Sequence, residues 1–168
     1  FIDGGKGMPK MYDSYFNDQL SKQAATAISK AVSAGKLNIQ VEFPPVPNVE
    51  EVKFGTPLNQ KFGKKIAPDL KMKYLPGSNL SRNLIAYSNV YWAKRFASAL
   101  KGGALGGKPV GVLSAEQVDF SDVKNLGDLS RSGKINTEKA RKEGRNGEAI
   151  ICINPGGEET WPRLVSAH

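Results

Sequence analysis

At 168 residues, with 24 Lys and Arg against 16 Asp and Glu and a net charge of +8, the chain fits one basic domain able to bury roughly two thirds of its unfolded surface. That charge suits an acidic partner, anionic lipid or nucleic acid without choosing among them. One cysteine excludes an internal disulfide, the one histidine, His168 at the last position, leaves a Ser/His/Asp relay or a histidine-based metal site without a member, and no run of about 18 apolar residues spans a membrane, so membrane association is expected to be peripheral.

Residues 1–9 read as a glycine-containing N-terminal arm ahead of a single α/β domain over 10–168. The start at Phe1 rather than Met fits a processed precursor or a start that lies upstream. From about Tyr12 to Ala34, Phe16, Leu20, Ala24, Ala27, Ile28 and Ala31 recur at helical spacing, and Gly35 is a left-handed stop. The stretch Leu37-Asn-Ile-Gln-Val-Glu-Phe43 then alternates strictly, which predicts a strand with Leu37, Ile39, Val41 and Phe43 on one face. Pro44 and Pro45 remove ladder donors and end it. Between residues 44 and 77 six prolines predict an extended ordered loop that contributes little to the core and orders mainly against a partner.

A second helix is expected over Asn79 to Leu100, closed by Gly102-Gly103. It carries two apolar stripes, Leu80, Leu84, Tyr87 and Tyr91 on one side and Ile85, Trp92, Phe96 and Ala99 on another. One sheet does not cover both, so the helix lies under the sheet and the proline-rich loop, or offers Tyr87 and Tyr91 to a partner. Val110 to Leu113 and Glu148 to Ile153 read as buried strands, the second central in the sheet, with Cys152 as strand filler rather than a reactive thiol. The resulting fold class is α/β: a small, mainly parallel sheet with crossover helices, plus long proline-rich and basic loops.

Gly102-Gly-Ala-Leu-Gly-Gly107-Lys108 matches the first seven positions of a phosphate-cradling loop. Pro109 stands where a hydroxyl should bind magnesium, and the loop runs from helix to strand, the reverse of the order that aims a helix N-terminus at phosphate. It reads as a connector. Glu116, Asp119 and Asp122 follow the Val110 strand, where α/β proteins often place ligand groups, but as a solvated loop. No catalytic, metal or cofactor site is expected.

The basic residues fall in two segments. Lys53, Lys61, Lys64, Lys65, Lys71 and Lys73 have Asp69 as the one acid between residues 53 and 73, and Arg131, Lys134, Lys139, Arg141, Lys142 and Arg145 dominate an insert over 124–147. Of these, Lys61, Lys64, Lys65, Lys71, Lys73, Arg131, Lys134, Arg141, Lys142 and Arg145, together with Tyr87 and Tyr91, form the candidate partner interface. Aromatic residues do not interleave with them as a single-strand stacking platform requires, and no nucleic-acid-binding signature is present, so nucleic acid is not the expected partner.

The helix ending in Ala34-Gly35-Lys36, the run Val41-Glu42-Phe43-Pro44-Pro45, the helix with Phe96-Ala97 before a glycine break, and the strand Val110 to Leu113 resemble an uncharacterised domain family of cyanobacteria and plastids. That family includes a chloroplast photosystem assembly protein of the low-photosystem-accumulation type and the C-terminal domain of a chloroplast adenylate kinase. The resemblance covers most of residues 10–165 and carries over no catalytic residue. Two departures from the family's pattern are Ser114-Ala115-Glu116, where an acidic turn is expected, and the insert over 124–147. The resemblance implies a non-catalytic accessory subunit or assembly factor at the stromal side of the chloroplast thylakoid membrane. It would be held through protein to a photosystem core and its stromal subunits, most specifically photosystem I of a red-lineage alga. The alternative is a soluble α/β enzyme or a nucleotide- or nucleic-acid-binding protein.

Overall fold

A computed structural model describes residues 14–36, 38–42, 44–47, 55–103, 105, 107, 109–115, 117–125 and 149–154. Its elements are four helices, α1 (Ser14–Ser33), α2 (Pro57–Ile66), α3 (Asn79–Arg82) and α4 (Leu84–Gly102), and three strands, β1 (Val110–Ser114), β2 (Lys124–Asn125) and β3 (Ala149–Ile153). The strands form one parallel sheet in the order β2-β1-β3. The fold is therefore a small α/β fold, as the element pattern predicts.

α4 is the axis of the molecule. Leu84, Ala86, Tyr87, Val90, Tyr91, Trp92, Ala93, Phe96 and Leu100 are all buried on it, because it packs against β1 and β3 on one side and against α1, α2 and α3 on others. Its two apolar stripes are thus covered by different elements of the same chain. In the sheet, Val112 pairs with Ile151 and Ser114 with Ile153, and the apolar members of this face, Val112, Ile151 and Ile153, join the core with α4. The link from β1 to β2 also closes over α4, burying Val118 and Val123 and setting Phe120 edge-on against Tyr87 at 5.5 Å between ring centres.

Several expectations are corrected here. Residues 38–42 belong to no strand, and Val41 is 42% exposed. Alternation makes a strand only where a neighbour supplies a ladder, and this segment instead leads into a strap: Pro45 accepts a hydrogen bond from Trp92 Nε1 at 3.0 Å, and Val46 beside it is fully buried. Leu37 and Phe43 lie outside the described residues. The central strand is β1 rather than β3, which is an edge among the described strands. The expected helix over 79–100 is broken at Asn83, whose backbone leaves the helical region at φ −122° and ψ 44°.

The expected loop over 44–77 contains α2 and a large part of the core: Val46, Phe62, Ile66, Ala67 and Leu70 are buried. The prolines are compatible with this because Pro57 occupies the first turn, where its missing N–H costs nothing, and Thr56 caps the helix by accepting from the Asn59 amide at 3.2 Å. Pro68 comes only after the C-cap residue Ala67. The described part of the segment therefore packs within its own chain.

α1 stops as Gly35 predicts. Gly35 has φ 77°, its N–H reaches Val32 O and the Lys36 N–H reaches Ala31 O, the paired bonds of a left-handed helix cap. Asn17 meets Tyr91 and Ser21 meets Arg95 at the same offset of 74 residues, so α1 and α4 run parallel. Their negative C-terminal dipole ends come to the same end of the pair, where Lys30 and Lys101 sit in the last turns.

Candidate interaction surface

α2 divides cleanly by face. Asn59, Phe62, Gly63 and Ile66 are buried on its inner stripe, with Phe62 edge-on to Tyr91 at 6.2 Å. A fully buried apolar side chain such as Ile66 contributes about 1.5–3 kcal/mol, which fixes the rotation of the helix. The outer face then has to carry Lys61, Lys64 and Lys65, all exposed.

The chain reverses after α2 through a second left-handed cap. Lys71 stands at φ 55°, its N–H bonds to Pro68 O at 2.9 Å, and the Met72 N–H bonds to Ala67 O at 2.9 Å. Glycine is the usual residue there, since a side chain at positive φ is strained. The return segment alternates: Met72 and Tyr74 pack on the core, while Lys71, Lys73 and Leu75 are exposed. Tyr74 lies so close to α2 that a Cβ on Gly63 would meet its ring at 2.4 Å. Burial raises the Tyr74 hydroxyl above its usual pKa.

The structure thus brings five of the predicted interface residues, Lys61, Lys64, Lys65, Lys71 and Lys73, onto one helix-and-return unit, with Asp69 as its exposed acid. Sequence reasoning missed two exposed apolar residues of the same unit, Leu58 on α2 and Leu75 on the return segment, which are 37% and 58% exposed. Leu58 shares the outer side of α2 with Lys61 and Lys65 at three- and four-residue spacing, a signal visible once Thr56-Pro57 is read as a helix start. Arg131, Lys134, Arg141, Lys142 and Arg145 lie outside the described residues.

Tyr87 and Tyr91 are not part of the surface. Both are 3% exposed. Tyr91 OH accepts from Asn17 Nδ2 at 2.9 Å, Arg95 stacks over its ring at 5.5 Å, and burial pushes its hydroxyl pKa up against the opposing pull of Arg95 and the Asn17 hydrogen bond. Arg95 is in turn held by Ser21 Oγ at 2.9 Å and by Asp18. The tyrosines follow an interface-like pattern because their hydroxyls need a polar partner; α1 supplies it to Tyr91 from 74 residues away.

The described residues of the remaining candidates make contacts within the fold. At the glycine loop, the N–H of Gly103 and of Leu105 bond to Leu100 O at 3.1 and 3.2 Å, and the N–H of Gly107 bonds to Lys101 O at 2.8 Å. These three donors finish the C-terminus of α4 rather than face a phosphate. Asp122 pairs with Lys94 at 2.7 Å, and Lys94 lies 4.4 Å above the Phe120 ring; Asp119 is exposed and Glu116 lies outside the described residues. Cys152 is half-buried, and burial pushes its thiol up to about 11. Among the described residues no group of three His, Cys, Asp or Glu can hold a metal, and no helix is long and apolar enough to cross a membrane.

Fold and surface together define a small basic α/β protein with a lysine-bearing face whose inner side is buried in the core. No protein-family model matches the chain, and neither a curated protein nor a solved structure shows significant similarity to it.

Proposed function

We propose that the protein is a non-catalytic accessory subunit, or assembly factor, bound at the stromal face of a photosystem, with photosystem I as the first choice. It would be peripheral on the chloroplast thylakoid membrane. The observation that carries this reading is the lysine face of α2 and its return segment, presented on a unit whose other side is locked into the core. A preorganised basic face lowers the ordering cost of association and steers an acidic partner toward it. The resemblance at Ala34-Gly35-Lys36 and Val41 to Pro45 adds the thylakoid setting. The competing enzyme or nucleotide-binding reading gains nothing from the glycine loop, whose amides at 103, 105 and 107 already bond to α4.

Native electrophoresis of thylakoids tests this directly: the protein should comigrate with a photosystem I complex. Retention should weaken as the Debye length falls from about 10 Å at 0.1 M salt to about 3 Å at 1 M, and should be lower for Lys64→Glu with Lys65→Glu. Migration apart from any large complex, or retention indifferent to salt and to both reversals, would overturn the reading.

A further inference from the structure

We propose that the outward face of α2 and its return segment rests directly on an anionic lipid surface. This rests on the peripheral thylakoid attachment proposed above and adds to the protein docking a direct lipid contact, which holds or fails with no photosystem present.

Three observations point to lipid. The first is residue type. Every basic side chain described between residues 55 and 78 is a lysine. Lysine lacks the planar fork with which arginine makes bidentate contacts to a fixed partner group. A lysine ammonium is a hydrated point charge on a long flexible stem, suited to a diffuse plane of phosphate headgroups rather than to one fixed carboxylate.

The second is the pairing of charge with apolar side chains. Leu58 extends the exposed row of Lys61 and Lys65 on α2, and Leu75 extends the exposed row of Lys73 on the return segment. Each row therefore combines lysine with a leucine open to solvent. Elements that lie in a membrane interface combine the same two terms, cationic attraction to headgroups and insertion of a few apolar side chains. The third is Lys71, which holds a positive-φ position where glycine is unstrained. A lysine there adds a cation at the apex of the reversal, against folding preference.

The test is co-sedimentation of the full chain with vesicles of phosphatidylcholine containing phosphatidylglycerol, against phosphatidylcholine alone. Binding is expected only to the anionic vesicles, weakening steeply with salt. One lysine near an anionic surface is worth roughly a fivefold factor in partitioning, so Lys61→Glu with Lys64→Glu should lower binding at least about tenfold. Leu58→Ser with Leu75→Ser should lower it while leaving its salt dependence in place. Lys71→Gly should weaken binding even though it relieves backbone strain. All these side chains are exposed, and thermal melts should show each variant folded. The control is Lys22→Glu with Lys30→Glu, the same charge change on exposed lysines of α1, which should leave most of the binding intact. Equal loss in that control, no preference for anionic vesicles, or saturable binding to poly-glutamate without vesicle binding would each overturn the proposal, the last by assigning the face to an acidic protein.

Discussion

Gly63 and Tyr74 show how one missing side chain shapes the candidate surface. The Tyr74 ring rests on Gly63, and any Cβ there would force that ring or the helix to move. Gly63→Ala gains helix propensity of about 1 kcal/mol yet overfills a packed contact, which typically costs 1–3 kcal/mol. We therefore expect a loss of stability in urea unfolding and faster proteolysis of the return segment. A stabilised Gly63→Ala would show that the ring can move aside freely. Cys152 gives a second prediction, in pH. Its folded thiol ionises at about 11, above its ordinary 9.0, because burial disfavours the thiolate. Between those values the unfolded chain has released the proton and the folded chain keeps it, so this contribution is complete at neutral pH and is lost as pH rises through the window. The stability difference between the protein and Cys152→Ala should shrink across that range in denaturant titrations.

The contact between α1 and α4 illustrates polar specification of an element. Among its described side chains α1 packs Leu20 and Ala24 on the core, and it is tied down by Asn17 on Tyr91 and by Arg95 on Ser21 and Asp18. Asn17 is buried, and its side-chain oxygen has no hydrogen-bond partner among the described residues, so within them the amide carries one unmet group. Tyr91→Phe would leave the other end unmet as well, at a cost of about 1–3 kcal/mol. Replacing both, as Asn17→Leu with Tyr91→Phe, should recover most of that loss, and a double-mutant cycle in thermal unfolding measures the coupling. Additive losses would mean that the hydrogen bond does not hold the helices together.

At the scale of the whole molecule, what was legible in the sequence follows from how local each cause is. The parallel strands at 110–113 and 149–153, the helix stop at Gly35 and the double-sided burial of α4 follow from nearby residues and from the need to cover apolar surface. The strand over 37–43 failed because alternation says nothing about whether a ladder partner exists. α2 is hard to see because its neighbouring prolines look like breaks, although Pro57 after Thr56 marks a helix start. Tyr87 and Tyr91 look like interface residues because the residues that cover them, Phe120 and Asn17, are remote in sequence. The lysine face was legible as charge, but its leucines emerged only with the helix. If the lysine face holds the protein at a photosynthetic membrane complex, native electrophoresis of thylakoids will show it. Comigration with photosystem I is expected, partly released by 1 M salt, where the Debye length is about 3 Å, and weakened by Lys64→Glu with Lys65→Glu; a protein that migrates alone at every salt concentration would overturn this reading.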